Sequence, residues 1–237
     1  MRNFIVFVGL TLFCSGCGVL HPGIKGSGNV QSEFRQVEMF HEVDLSGFGN
    51  ASVVVGDQPA VEVVTDDNLL QEVETRVTNG VLKLRQKRSI RPKAGLNYVV
   101  TVPHLTATRV SGAGEMHVRN VSGESIEMTV SGAGTITADG HVQNLRTRIS
   151  GAGDANLKNL VTHTADVRIS GAGDATVYAL ETLNARVSGA GDVTCYGNPF
   201  QVDKHVSGAG DINIVPSASP QIRMSDEEMI LVPPTEK

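Results

Sequence analysis

An all-β fold, a parallel β-helix or solenoid-like stack of 18–20-residue coils with a β-rich N-terminal lobe, follows from three features of this 237-residue chain. The first is a recurring pentapeptide: SGAGE at 111–115, SGAGT at 131–135, then SGAGD at 150–154, 170–174, 188–192 and 207–211. Successive serines stand 20, 19, 20, 18 and 19 residues apart, and self-similarity at such a period marks stacked repeats. The second is period-two alternation on both sides of each pentapeptide, the sign of two short strands with one buried face. The third is composition: 26 glycines, no tryptophan and 4% aromatics suit a thin-walled stack better than a core built on large aromatic anchors.

At the N-terminus, Phe4 to Phe13 is an apolar run of signal-peptide length behind a weakly basic lead. It is too short to span a bilayer as a permanent helix. Cys14-Ser15-Gly16-Cys17 resembles a bacterial lipobox. The resemblance implies a lipoprotein signal over residues 1–16 and acylation of Cys17, and several acyl chains on one terminus anchor stably. Gly18, rather than Asp, follows the cysteine and favours the outer membrane. An ordinary secretory signal cut near Gly16 is the alternative. Residues 17–29 then form a flexible tether. Once Cys14 has left and Cys17 is acylated, Cys195 is the last of three cysteines. One thiol makes no intramolecular disulfide, and at an inward position it is a small buried hydrophobe rather than a nucleophile.

Residues 30–105 read as an N-terminal β lobe. Strands are expected over 37–45, 51–55, 61–65, 81–85 and 98–102, with Thr78-Asn79-Gly80 as a hairpin turn and a short helical turn within 66–74. Ser46-Gly47-Phe48-Gly49-Asn50 echoes the pentapeptide once. The lobe is thus a degenerate set of coils or a cap, which an open stack needs against edge pairing.

Residues 106–215 form the repeat region. Before each serine stands Val110, Val130, Ile149, Ile169, Val187 or Val206, all β-branched. Five and seven residues after it the rows are again mostly aliphatic, and the row between them, from His117 to Asn213, is polar. Stacking such coils aligns the inward rows into one core, and six coils would rise roughly 25–30 Å. Antiparallel hairpins would not require one corner to recur in register. The corners carry Gly112, Gly114, Gly132, Gly134, Gly151, Gly153, Gly171, Gly173, Gly189, Gly191, Gly208 and Gly210. A tight corner calls for positive φ or close backbone approach, which glycine supplies, and flanking Ser and Asp can bond turn amides. Residues 216–237, with four prolines, are a loose tail or irregular cap.

Two outward ladders carry charge. Arg109, Arg148, Arg168 and Arg186 stand two residues before their serines, and Asp154, Asp174, Asp192 and Asp211 four after. Carboxylates about 5 Å apart repel by roughly 0.8 kcal/mol in bulk dielectric. Turn amides, the arginine ladder or a bound cation would offset this. Calcium on the four aspartates is the cofactor alternative, although calcium-binding β-rolls repeat every nine residues. Enzymatic chemistry is not expected. The serines lack the strand-turn-helix context of a nucleophile elbow, the glycines open no helix around a phosphate, and the seven histidines show no metal-ligand spacing. A polysaccharide-active β-helix enzyme needs cleft-forming insertions that coils of this length lack. The net charge is −5, and no basic stripe with interleaved aromatics suggests a nucleic-acid partner. Lys87-Arg88-Ser89-Ile90-Arg91-Pro92-Lys93 is a basic loop, either solvated or touching anionic envelope polymers.

FRQVEMFHEV at 34–43, TNGVLKL at 78–84 and the SGAGD corners together resemble the head GIN domain family, which carries an auto-transporter adhesin label. The resemblance runs from about Phe34 to Val215. It implies a β-solenoid-like domain on an exported, often lipid-anchored bacterial protein, with no catalytic residues. The chain has no expected room for a translocating barrel. The expected function is a binding or adhesion module on the cell envelope, with glycan or envelope protein as partner; a periplasm-facing scaffold is the alternative. Oligomeric state is not legible.

Overall fold

The computed structural model describes residues 23–217, 221–225 and 228–232. The signal segment and Cys17 lie outside the described residues. The lobe comprises β1 (Ile24–Lys25), β2 (Val30–Arg35), β3 (Glu42–Gly47), β4 (Asn50–Val55), β5 (Ala60–Asp66), a 3-10 helix (Asp67–Glu72), β6 (Val73–Thr78), β7 (Val81–Gln86), β8 (Ile90–Arg91) and β9 (Asn97–Val102). The coils follow as β10 (Ala107–Gly112), β11 (Glu115–Gly132), β12 (Thr135–Gly151), β13 (Asp154–Gly171), β14 (Ala175–Gly189), β15 (Val193–Tyr196), β16 (Gln201–Gly208) and β17 (Ile212–Val215). β18 (Gln221–Ser225) and β19 (Glu228–Val232) close the chain.

The strands form a solenoid of two facing layers. Strands β11 to β14 pass through both layers, bending midway, and pair in parallel with the coil on either side. The first layer runs β6-β7-β3-β10, continues through the later halves of β11 to β14 and ends at β16. The second runs β2-β5-β9-β4, through the earlier halves of β11 to β14, then β15 and β17. In the described lobe, antiparallel pairs join β2 to β5, β5 to β9 and β6 to β7. Asn79 and Gly80, with φ of 52° and 78°, make the tight β6–β7 turn, the left-handed pair that such hairpins demand.

The inward rows build the core. Val110, Val130, Ile149, Ile169 and Val187 are all buried and pair in register from coil to coil. Opposite them lie Met116, Ile136, Ala155, Ala175 and Val193, also buried. Full burial of an aliphatic side chain contributes about 1.5–3 kcal/mol, so like residues stacked on like stabilise each added coil. A third inward row, three residues before the serines, reads Thr108, Met128, Thr147, Val167 and Ala185. The hydroxyls of Thr108 and Thr147 are buried without a partner among the described residues.

The corner glycines answer two separate demands. The first glycine of each corner has φ between 126° and 149°, a region that costs other residues about 1–2 kcal/mol. A Cβ there would also stand 2.0–2.6 Å from the carbonyl oxygen of the equivalent glycine one coil earlier. The second glycine needs no left-handed backbone, but from Gly134 onward a Cβ would stand 1.9–2.5 Å from the oxygen of its predecessor. Between them, the alanine amide donates to the preceding coil's first glycine at 2.8 Å. The SGFGN echo belongs to this series: Ser46 and Gly47 pair with Ser111 and Gly112, and Ala113 N–H donates to the Gly47 carbonyl.

Three expectations change. Residues 23–29 are not a free tether: Ile24 N–H donates to the Ser89 carbonyl at 3.0 Å and Gly26 N–H to Arg91 at 2.9 Å. Asp66 completes the docking, because its buried carboxylate accepts from the amides of Gly28 (2.5 Å), Lys93 (2.8 Å) and Ala94 (3.1 Å). Beyond Pro216, where a loose tail or irregular cap is expected, β18 and β19 pair in antiparallel fashion. The expected strand over 37–45 starts later, at Glu42, and two strands without strict alternation, β2 and β6, were not anticipated. The two ends of the stack differ. Leu69 and Leu70 of the 3-10 helix are buried in the lobe, whereas the last coil's inward Val202 and Val206 remain 38% and 40% exposed.

Candidate binding face

The outer surface of the first layer collects the polar chemistry of the chain. Alternation along its parallel strands places two rows there. One, two residues before the serines, holds Arg109, Thr129, Arg148, Arg168, Arg186 and His205; the other, four before, holds Ala107, Glu127, Arg146, Asp166, Asn184 and Asp203. The rows pair with each other. Arg148 bonds Glu127, Arg168 forms two bonds to Asp166 at 3.1 and 3.3 Å, and Arg186 reaches Asp203 at 3.1 Å. Exposed pairs of this kind contribute at most about 1 kcal/mol each, so their main effect is to neutralise and order the face. Arg109 and Arg146 have no ion pair among the described residues.

Two depressions mark this face. The larger, about 520 Å³, crosses the strands between Glu42 and Asn184, with Thr106, Ser125, Asn144, Thr164, Glu127, Arg146 and Asp166 along it. The smaller, about 300 Å³, lies toward the lobe between Glu42, Asp44, Lys83, Arg109, Glu127 and Thr129. Sequence reading found the arginine row and missed the mixed row two positions before it, which supplies the acidic partners Glu127, Asp166 and Asp203. The same alternation marks them, but their mixed composition hides the ladder.

The aspartate ladder is elsewhere, at the corners, and serves the backbone. Asp154 Oδ1 accepts the Asp174 N–H at 3.0 Å, Asp174 Oδ1 the Asp192 N–H at 2.8 Å, and Asp192 Oδ1 the Asp211 N–H at 2.7 Å. Where the coil beneath lacks an aspartate the amide turns to a main-chain oxygen, as Asp154 N–H does to Gly134. Of the three ways to offset carboxylate repulsion, the structure uses turn amides. The paired arginines are spent on the sheet face, not on this ladder. Among the described residues, no group of three or more His, Cys, Asp or Glu could hold a metal ion. The expected serine contribution differs too: among the described residues no corner serine hydroxyl bonds a turn amide, and Ser46 bonds the Asp44 carboxylate at 3.1 Å instead.

Two of the buried titratable groups, Cys195 and Asp66, lie off this face. Burial pushes the Cys195 thiol up to about 11, so it holds its proton where a nucleophile would lose it. For Asp66, burial works toward a higher pKa, but the amides of Ala94, Gly28 and Lys93 outweigh it and hold the carboxyl below the usual aspartate value. No local motif reveals that role, because its donors lie 27 to 38 positions away.

Residues 39–199 match the model of the family described as "Putative auto-transporter adhesin, head GIN domain". The chain belongs to that family. The head GIN fold recurs in a putative adhesin of Bacteroides fragilis, 20% identical, with a TM-score of 0.68 and coverage of 81% of this chain and 100% of that one. A putative lipid binding protein of Parabacteroides distasonis is 20% identical over 82% of this chain and 100% of its own, with a TM-score of 0.55. A putative adhesin of the same species is 22% identical at the same coverages, with a TM-score of 0.53. At these identities the likeness is one of fold. No curated protein matches the chain. The family points to a binding module of the cell envelope or cell exterior, and its description names an adhesin, not an enzyme.

Proposed function

We propose that this head GIN domain is a lipid-anchored, non-catalytic binding module of the bacterial envelope that holds an extended glycan along the grooved outer face of its first layer. The observation that carries the reading is the about 520 Å³ groove, in which hydroxyl and amide side chains recur from strand to strand. Ser125, Asn144 and Thr164 follow one another in register, at a strand spacing of about 4.8 Å. A polymer with regularly placed hydroxyls fits such a row, and Arg146 adds a cation without an ion pair among the described residues. Acylation of Cys17 would hold the domain at the membrane, and Gly18 after it favours the outer one.

The test is a glycan-array screen of the wild-type protein and an Asn144→Ala/Arg146→Ala variant. The reading expects one or more glycan hits that weaken at least about tenfold in the variant, the loss of one or two hydrogen bonds. Binding that is absent, or unchanged in the variant, would refute the assigned face. Protease shaving of intact cells, with a C-terminal epitope and permeabilised cells as control, tests orientation. Loss of the epitope on intact cells agrees with adhesion. Protection until permeabilisation supports the second reading, a periplasm-facing scaffold, which the exposed Val202 and Val206 of the last coil favour.

A further inference from the structure

The described chain begins inside its own basic loop. Gly23 packs against Ser89, so closely that a Cβ on it would stand 2.6 Å from the Ser89 hydroxyl. From there β1 pairs in parallel with β8, Ile24 beside Ile90 and Lys25 beside Arg91. Lys25, Lys87, Arg88, Arg91 and Lys93 are all exposed around this point. Their neutralisation is incomplete. Arg88 pairs with Glu72 at 2.9 Å, but the Lys87 and Lys93 ammonium groups form no ion pair among the described residues and bond the carbonyls of Gln71 and Ser27 instead. Lys25 and Arg91 have no ion pair among the described residues, and like charges side by side in a sheet are unfavourable. Nearby Asp66, bonded by three amides, and Asp67, bonded by Ser27 and Asn68, keep their negative charges, so with Glu72 they offset three of the five cations and leave two. The cations are therefore in local excess on a chain of net charge −5.

We propose that this basic collar rests on the anionic phospholipid headgroups of the membrane that holds the chain. The orientation builds on the anchoring part of the proposed function. Six residues from Cys17 to Gly23 reach at most about 20 Å, so an acylated Cys17 keeps the collar close to the bilayer and lets it come within the Debye length of about 8 Å. Each basic side chain near an anionic surface raises the affinity about fivefold. The collar would set which end of the solenoid faces the lipid, and the grooved face would then stand roughly upright from it.

The experiment uses the chain from residue 18 onward, which keeps every described hydrogen bond and carries no lipid. Co-sedimentation is measured with phosphatidylcholine vesicles and with vesicles containing phosphatidylglycerol at low salt. The protein should bind the anionic vesicles alone, and lose at least about tenfold when salt rises from about 50 to about 300 mM. Lys25→Glu with Arg91→Glu should lower binding at least about tenfold while circular dichroism and melting stay unchanged. Arg119→Glu, at the far bend, should leave binding as it was. Equal binding to neutral vesicles, no binding, or an unaffected double variant overturns the collar. Labelled palmitate incorporation into the full chain and into Cys17→Ala tests the anchor separately. A collar that binds without acylation, or acylation without a binding collar, identifies which of the two fails.

Discussion

Replacing Gly173 by alanine tests whether the second corner glycine is required by close backbone approach alone. Gly173 is not among the left-handed glycines, so alanine faces no conformational penalty of that kind. Its Cβ, however, would stand 1.9 Å from the Gly153 carbonyl oxygen, at least about 1.1 Å inside any tolerable contact. Both atoms belong to stacked backbones, and no flexible side chain can give way. The two coils must part, and the bonds flanking the clash lengthen with them: Ala172 N–H to Gly151 at 2.8 Å and Asp174 N–H to Asp154 at 3.0 Å. Losing both costs about 2 kcal/mol, and residual overpacking adds about 1 kcal/mol or more. A total near 3 kcal/mol corresponds to a melting point about 6–12 °C lower for a domain of this size. The matched control is Gly95→Ala, where φ is +81° but the nearest neighbour of a Cβ is 3.8 Å away, so only the conformational cost of about 1–2 kcal/mol applies. Urea denaturation followed by far-ultraviolet circular dichroism reads both. If Gly173→Ala is no more destabilising than Gly95→Ala, backbone contact is not what requires glycine there.

Three further outcomes are expected. Thr147→Val removes a buried hydroxyl without a partner among the described residues and keeps the shape, so it should stabilise by about 1 kcal/mol in the same denaturation assay; destabilisation would mean that the hydroxyl has a partner. Asp174→Ala strips the acceptor from the Asp192 amide and should cost about 1 kcal/mol, with Asp174→Asn costing less, and added calcium should leave the wild-type melting temperature unchanged. A calcium-dependent rise lost in Asp174→Asn and Asp192→Asn would restore the cation reading of the ladder. The folded pKa of Asp66 is lowered, so its contribution is present above the unfolded value of 3.8 and is lost as pH falls through the folded one. Protection of the Gly28, Lys93 and Ala94 amides relative to their intrinsic exchange rates should therefore fall as the pH drops through that window, and should already be low at neutral pH in Asp66→Ala; equal protection in wild type and variant would show that the carboxylate does not hold these amides.

The parts of the fold that repeat were legible because each position is written several times. A single Val110 says little, but Val110, Val130, Ile149, Ile169 and Val187 at a common offset define an inward row, and the structure buries all of them. The corner glycines were legible for the same reason. The Asp ladder was visible as a ladder, yet its chemistry was not, since turn amides, arginines and a cation all answer the same repulsion on paper. The lobe was harder. β2 and β6 lack strict alternation because β2 is exposed at five of its six positions and β6 is fully buried only at Val73, and the docking of residues 24–29 depends on Asp66, whose partners are distant in sequence. The binding face fell between these cases: the arginine row repeats, whereas the row that neutralises it mixes Glu127, Arg146, Asp166, Asn184 and Asp203 and conceals its own period.

The aspartate ladder also has a direction. Among the described residues, Asp154, Asp174 and Asp192 each accept an amide from the coil that follows and none from the one before, so from Asp154 onward each coil prepares a seat for its successor. A chain emerging from its N-terminus meets these seats in the order in which they are needed, beginning with Asp154. Asp211, in the last coil, holds the next seat, taken by no amide among the described residues. Length is then a modular quantity: a whole coil of this pattern could be added beyond Val215 or removed from between Asp154 and Asp211, lengthening or shortening the module by one strand spacing of about 4.8 Å while every other coil keeps its neighbours' chemistry.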